Sequence, residues 1–285
     1  MKTIEQALTQ ALNELDITNN PYREQVIAAV QRSIVANKPL ELLLFTCSTI
    51  KANELFSVTP WNYVSLNPQG NNLTDDLIRL QEVIKSLWAI YQLKLTVIIG
   101  NTDPYYIYLQ QFANIPKEER QTVRDKFEER WAAYKIVFEA WLRDCLPQQE
   151  LEVISWQVWE RQQEKLNNRS FEQEFNQVYA NAENYFAASE LDWEFRKLST
   201  QFATDKYFSD LAKPTDELLK DWIHRKFTEY ALQGKWLQEA FPNAVLLQNE
   251  KPTLLRSAMY QPLLRPLNRA LPIMHPFGLD NEGYA

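Results

Sequence analysis

Glycine, histidine and cysteine are scarce in this 285-residue chain, which has five, two and two of them. A loop that cradles phosphate on backbone N–H groups needs clustered glycines. Gly70, Gly100, Gly234, Gly278 and Gly283 are too dispersed to write GxGxxG or GxxxxGK[ST], and no GxSxG nucleophile elbow is present. His224, His275, Cys47 and Cys145 form no zinc motif of usual spacing, and two distant thiols imply no disulfide framework. Long apolar runs are missing too. Leu40–Phe45 and Leu95–Ile99 fall far short of the ~20 residues that cross a bilayer. The N-terminal MKTIEQALTQALNEL lacks a signal peptide's apolar stretch and reads as an amphipathic helix, so a cytoplasmic location without a membrane partner is expected. A basic excess is also absent. Thirty Lys and Arg against 37 Asp and Glu give a net charge of −7, which favours a small substrate over general nucleic-acid binding but leaves room for a local basic face. No cofactor is implied.

What is present is core-forming material. A hydrophobic content of 45% and an aromatic content of 13% argue for a sizeable core and against disorder. Residues 3–15 and 21–36 have helical periodicity, with Val26, Ile27, Val30 and Ile34 on one face of the second segment. Leu40–Phe45 is short, apolar and bounded by polar residues, as a buried strand is. Thr74–Tyr91 reads as a helix, with Thr74 as its cap and Leu77, Leu80, Ile84, Leu87 and Trp88 as its apolar face. Leu93–Ile99 is a second buried strand. Strand, helix and strand of this kind form a βαβ crossover, so the spacing predicts a parallel sheet. Pro116 opens a long helix of mixed charge, and a short strand is expected at Asn62–Leu66. Leu151–Trp156 and Ala244–Gln248 add two strands, and residues 157–200 and Pro214–Ala240 are helical. The expected architecture is one α/β domain over 1–285, a Rossmann-like, mostly parallel sheet. Residues 157–240 would form a helical cap over it, and 252–285 an irregular tail.

Ligands of open parallel sheets bind outside the carboxyl ends of the strands. Two polar strand exits lie there. The first is Thr46–Asn53. In it, Lys51 suits a Schiff base or a phosphate contact, Ser48 suits a nucleophile and Asn53 a substrate contact; the competing reading is a polar loop with a solvated lysine. The second is Gly100-Asn101-Thr102-Asp103-Pro104. There Asp103 can take a proton or bind an ammonium, with Asn101 and Thr102 beside it, and the competing reading is a tight turn. His275, in the tail, serves equally as a lid residue or as an anchor. His224 reads as a surface or partly satisfied histidine. The many tryptophans fall mostly at helical spacing, as core residues do.

Two family resemblances bear on this pattern. Residues 31–115 resemble the N-terminal half of the isonitrile synthases of the pyoverdine/dityrosine family. The matching stretches are Leu42–Asn53, Thr74-Asp75-Asp76-Leu77, Trp88–Tyr91 and Val97–Asp103, and later Gly234–Leu237 and Phe241–Leu247. That family's Ser-Asp-Gly is Asn101-Thr102-Asp103 here, and its Arg-Leu-Ser-Ile-His is replaced by Leu246–Glu250. The resemblance implies an enzyme acting on the amine of an amino acid, with a sugar phosphate as carbon donor, Lys51 on the sugar and Asp103 on the amine. Residues 95–260 also resemble the tRNA-dependent cyclodipeptide synthases. By that resemblance Ser48 carries an aminoacyl group from aminoacyl-tRNA, and Tyr230 matches the tyrosine of a Tyr-x-x-x-Glu motif. Gly234 stands at the motif's glutamate, and Gln248 or Asn249 where a tyrosine is expected. The first resemblance ranks ahead of the second. A non-catalytic binding protein on the same fold is the third reading.

Overall fold

The computed structural model describes residues 3–15, 23–46, 73–99, 136, 139–140, 142–143, 146–147, 150–186, 188–204, 215–247 and 273–274. Within these, helices α1 (Ile4–Leu15) and α2 (Arg23–Val35) precede strand β1 (Leu40–Thr46). Helix α3 (Leu73–Trp88), β2 (Leu93–Ile99) and β3 (Leu151–Ser155) follow. Four helices come next: α4 (Trp156–Asn167), α5 (Phe171–Tyr179), the single turn α6 (Ala182–Tyr185) and α7 (Ala188–Thr204). The long α8 (Asp216–Ala240) leads to β4 (Val245–Leu247), and β5 is Ile273–Met274.

The five strands form one sheet in the order β3-β2-β1-β4-β5, and every pairing is parallel. This is a Rossmann-like α/β fold. The order reverses at β1, so the crevice between the carboxyl ends of β1 and β4 is a topological switch point. The register sets Thr46, Ile99 and Ser155 level across three strands, and Leu44, Leu247 and Met274 level across the other side.

Alternation along the strands divides the core in two, because successive side chains point to opposite faces. Leu42, Leu44, Leu95, Val97, Val153, Val245 and Leu247 pack against residues of α1, α2 and α3, including Leu8, Val30, Ile84 and Leu87. Leu43, Ile98, Ile154 and Leu246 pack on the other face against Trp156, Trp159, Phe171, Phe227 and Trp236. Both faces are covered, which is why the strands read as continuous apolar runs rather than alternating ones. The helices between residues 157 and 240 form the covering layer on the second face.

Local chemistry sets several boundaries. β3 passes into α4 without a loop, because Ser155 ends the strand and caps the helix, its Oγ accepting from the Val158 N–H at 3.2 Å. Asn168 stops α4 in the left-handed region at φ 50°. Thr215 caps α8 through the Leu218 N–H at 3.2 Å. Trp156, expected as the end of a strand, starts a helix instead. β5 lies in the segment read as irregular: two residues between Pro272 and Pro276 are too short to leave a periodic signal. The expected strand at 62–66 and most of the helix from Pro116 lie outside the described residues.

Candidate functional site

Ser48, Lys51, Asn53, Asn101, Thr102, Asp103 and His275 all lie outside the described residues. The strands that lead to them are described. Ser48 follows the last residue of β1 by two positions in the sequence. Asn101 follows β2 by two, and His275 follows β5 by one.

Tyr230 is described, and its surroundings are unusual. α8 is buried on almost every side from Lys226 onward; Phe227, Thr228, Ala231, Leu232, Gly234, Trp236 and Leu237 are all buried. Within it, Lys226, Glu229, Tyr230 and Gln233 recur at i, i+3, i+4 and i+7, the spacing of one helix face. The Lys226 and Glu229 side chains are only 9% and 15% exposed, and the Lys226 Nζ lies 3.3 Å from Glu229 Oε2. The same ammonium lies 5.3 Å from the centre of the partly buried Tyr230 ring. Gln233, 2% exposed, donates from Nε2 to Glu229 Oε1 at 3.2 Å. Its own Oε1 is buried with no hydrogen-bond partner among the described residues.

The position of this row along the helix matters. The last turn of α8 feeds β4 through Phe241–Ala244, so α8 runs antiparallel to the strands. At about 1.5 Å per residue, Tyr230 stands roughly 15 Å and Lys226 roughly 21 Å from Ala240 along the axis. A strand the length of β1 spans roughly 20 Å. The polar row is therefore level with the carboxyl half of the sheet, the half from which the β1 exit departs.

A second polar group lies at the opposite end. Arg169, just after α4, donates to Glu174 of α5 at 2.7 Å and also bonds Glu239 of α8. Lys235 Nζ reaches Glu174 at 2.9 Å, and the Trp236 indole N–H donates to it at 3.3 Å. Burial pushes the Glu174 carboxyl upward, but the bonds from Arg169 and Lys235 outweigh it and hold the group at about 2. A cleft of about 410 Å³ opens beside this group, between Glu152, Trp159, Gln163, Arg169, Glu239 and Phe241. Glu152 is near the start of β3 and Phe241 precedes β4, so the cleft is at the amino ends of the strands, away from the switch point. Farther along α8, the Tyr179 hydroxyl donates to Asp221, and Arg225 Nε donates to the same carboxylate at 2.9 Å. Burial, and next the Asp221 bond, raise the Tyr179 phenol above its ordinary value. These two networks fasten α5 to α8.

Sequence reasoning reached Tyr230 through resemblance and missed Lys226, Glu229 and Gln233. The sequence carried no signal for them, because Lys226, Glu229 and Gln233 have the spacing of an ordinary solvated helix side. His224 is partly buried. Burial pushes the neighbouring Asp221 carboxyl upward, but the bonds from Tyr179 and Arg225 outweigh it and hold the group below the usual carboxylate range. Trp156, Trp159 and Trp236 belong to the core, as their spacing suggests, whereas Trp193 is exposed. Among the described residues no cluster of His, Cys, Asp or Glu is placed to hold a metal ion. None of the described helices is long and apolar enough to cross a membrane.

No protein-family model matches the sequence, and no curated protein matches it. Similarity appears at the level of solved structures. The chain is similar to a cyclodipeptide synthase from Candidatus Glomeribacter gigasporarum bound to Phe-tRNAPhe, with 14% identity, 89% of this chain and 93% of that chain covered, and a TM-score of 0.53. A CDPS from Fluoribacter dumoffii is matched at 10% identity over 82% of this chain and 88% of that one, with a TM-score of 0.47. Likeness at such identity is likeness of fold, and it extends over nearly the whole of both chains in the first case.

Proposed function

We propose that this chain is an aminoacyl-transferring enzyme of the cyclodipeptide-synthase type, which takes aminoacyl-tRNA as substrate. The observation that carries the reading is the buried row Lys226–Glu229–Tyr230–Gln233, level with the carboxyl half of a parallel sheet. Apolar residues fill such a helix interior more favourably, because ions and amides must be desolvated to enter it. Buried polar groups near the carboxyl ends of parallel strands are candidates for a functional site. The fold likeness to a cyclodipeptide synthase supports this reading over the isonitrile-synthase resemblance, which draws no support from the structures matched. The isonitrile-synthase resemblance ranks first on sequence because apolar strand patterns, common to both folds, carry most of its matches.

In this reading Ser48, two residues beyond β1, is the nucleophile. Its hydroxyl oxygen attacks the ester carbonyl of the aminoacyl-tRNA. The ester bond to the terminal ribose breaks, the ribose oxygen leaves with a proton, and the aminoacyl group remains on Ser48 as a new ester. Tyr230 lines the space that this group enters. Lys51, Asn53, Asn101, Thr102, Asp103 and His275 remain candidates for contacts at the same edge. The protein's acidic balance places the burden of tRNA binding on a local basic face rather than on overall charge.

The test is intact-mass spectrometry of the purified chain after incubation with a full set of charged tRNAs. One aminoacyl mass added at Ser48, absent from Ser48→Ala, supports the reading, and cyclic dipeptide in the supernatant completes it. A folded chain that acquires no adduct and makes no product leaves the non-catalytic binding reading in its place.

A further inference from the structure

We propose that the cleft at the amino ends of the strands is a second ligand site, and that it takes a small organic cation with a flat apolar body, such as an arylalkylamine. The site stands apart from the transfer chemistry proposed above and does not depend on it.

The size and the walls fit a small molecule. The cleft holds about 410 Å³, within the roughly 300–1,000 Å³ of small-molecule sites. Trp159 and Phe241 form one wall, their rings inclined by only 18° with centres 6.1 Å apart. Leu166, exposed on α4, carries the apolar wall outward. Gln163 and Asn167 stand one turn apart on the same helix, and Asn167 Nδ2 donates to Gln163 Oε1 at 3.3 Å. The polar edge of the cleft is thus held beside its rings.

Charge decides the class of ligand. Three charged side chains line the cleft, those of Glu152, Glu239 and Arg169. Arg169 is already engaged. Its Nε and one terminal nitrogen donate to Glu174, its other terminal nitrogen donates to Glu239, and the guanidinium lies over the Trp236 ring. Glu152 is different. It shares the sheet face of Ile154, which α4 and α8 cover, yet it is itself exposed. Among the described residues no hydrogen bond or ion pair reaches its carboxylate. Lys94, its diagonal neighbour through the Thr96–Glu152 register, forms no ion pair with it. A carboxylate without a counter-charge, set beside aromatic rings, favours a cation, which is attracted by the carboxylate and by the negative ring faces together. An anion would meet Glu152 and Glu239 as like charges, with Arg169 committed elsewhere.

The experiment is calorimetric titration of the full chain with three probes that share one ring and differ in charge: phenethylamine, 2-phenylethanol and phenylacetate. The amine is expected to bind roughly threefold to tenfold more tightly than the alcohol at low salt. Phenylacetate should bind most weakly. The advantage of the amine should shrink as salt is raised, because Glu152 is exposed. Glu152→Gln should bring amine and alcohol to nearly equal affinity while leaving the alcohol unchanged. Gln163→Trp, which fills the cleft from the partly exposed side of α4, should weaken all three. Circular dichroism confirms that both variants are folded. Equal binding of amine and alcohol by the wild-type chain, tightest binding of phenylacetate, or no binding of any probe overturns the assignment. Amine binding that survives both folded variants unchanged lies elsewhere on the chain and overturns it as well. None of these outcomes bears on Ser48 acylation, so the cleft and the transfer reading stand or fall separately.

Discussion

The Arg169 guanidinium lies 4.6 Å from the centre of the Trp236 ring, stacked on a tryptophan whose own indole N–H donates to Glu174. One arginine thus joins the end of α4 to α8, while Glu174 joins α5 to both. Glu174→Gln should lower stability at neutral pH by on the order of 1–2 kcal/mol, the group being partly exposed. The folded carboxyl sits at about 2 against an ordinary 4.5. Its contribution is therefore complete above pH 4.5 and fades as pH falls toward 2. Urea titrations across that window should show a shallower acid loss in the variant than in the wild-type chain.

Ser155 has two duties, because β3 becomes α4 at that residue. Replacing it with alanine leaves the Val158 N–H without its acceptor and should cost about 1 kcal/mol, as loss of a helix cap does. A lower thermal midpoint with an unchanged circular dichroism spectrum is the expected result. No change in midpoint would show that the strand alone fixes the junction.

Phe227 is fully buried beneath the sheet, edge-on to Phe186 at 5.5 Å between ring centres. Phe227→Ala should cost about 3–5 kcal/mol, since transfer and cavity terms add. Phe227→Leu should cost less than half as much. Chemical denaturation of both variants checks the ratio. It also checks whether α8 and the sheet unfold together, as a shared core requires.

The sheet was legible because its strands are buried on both faces. Leu93–Ile99 needs no alternation to be recognised, and its pairing with Leu40–Thr46 follows from the intervening helix. The switch point was only half legible: β1 declares itself, but its neighbour β4 has three residues, and adjacency across some two hundred positions leaves no local mark. The row on α8 was the least legible. In sequence, Lys226, Glu229 and Gln233 look like the solvent side of an amphipathic helix, an i,i+3 pair with an amide one turn on. Burial alone distinguishes them from such a side, and burial depends on the sheet beneath and α7 and α5 alongside. Tyr230 was reached by resemblance, and Gly234 stands where that resemblance puts a glutamate.

Lys226 and Glu229 offer a test that separates stability from function. Removing one member of a buried ion pair leaves the other charged and uncompensated, whereas removing both removes the desolvation burden as well. Lys226→Met should therefore lower stability by roughly 2–3 kcal/mol, and adding Glu229→Leu should recover most or all of that loss. If the pair existed for the fold, the double variant would be no better than the single. If it exists for the site, the double variant should be as stable as wild type, or more so, and should no longer acquire an aminoacyl group at Ser48. Denaturation midpoints and Ser48 acylation measured on the same preparations distinguish the two: a double variant no more stable than the single assigns the pair to the fold, and a stable one without acylation assigns it to the site. The expected outcome is recovered stability with lost acylation, the pattern of a site that keeps buried charge at a cost in stability.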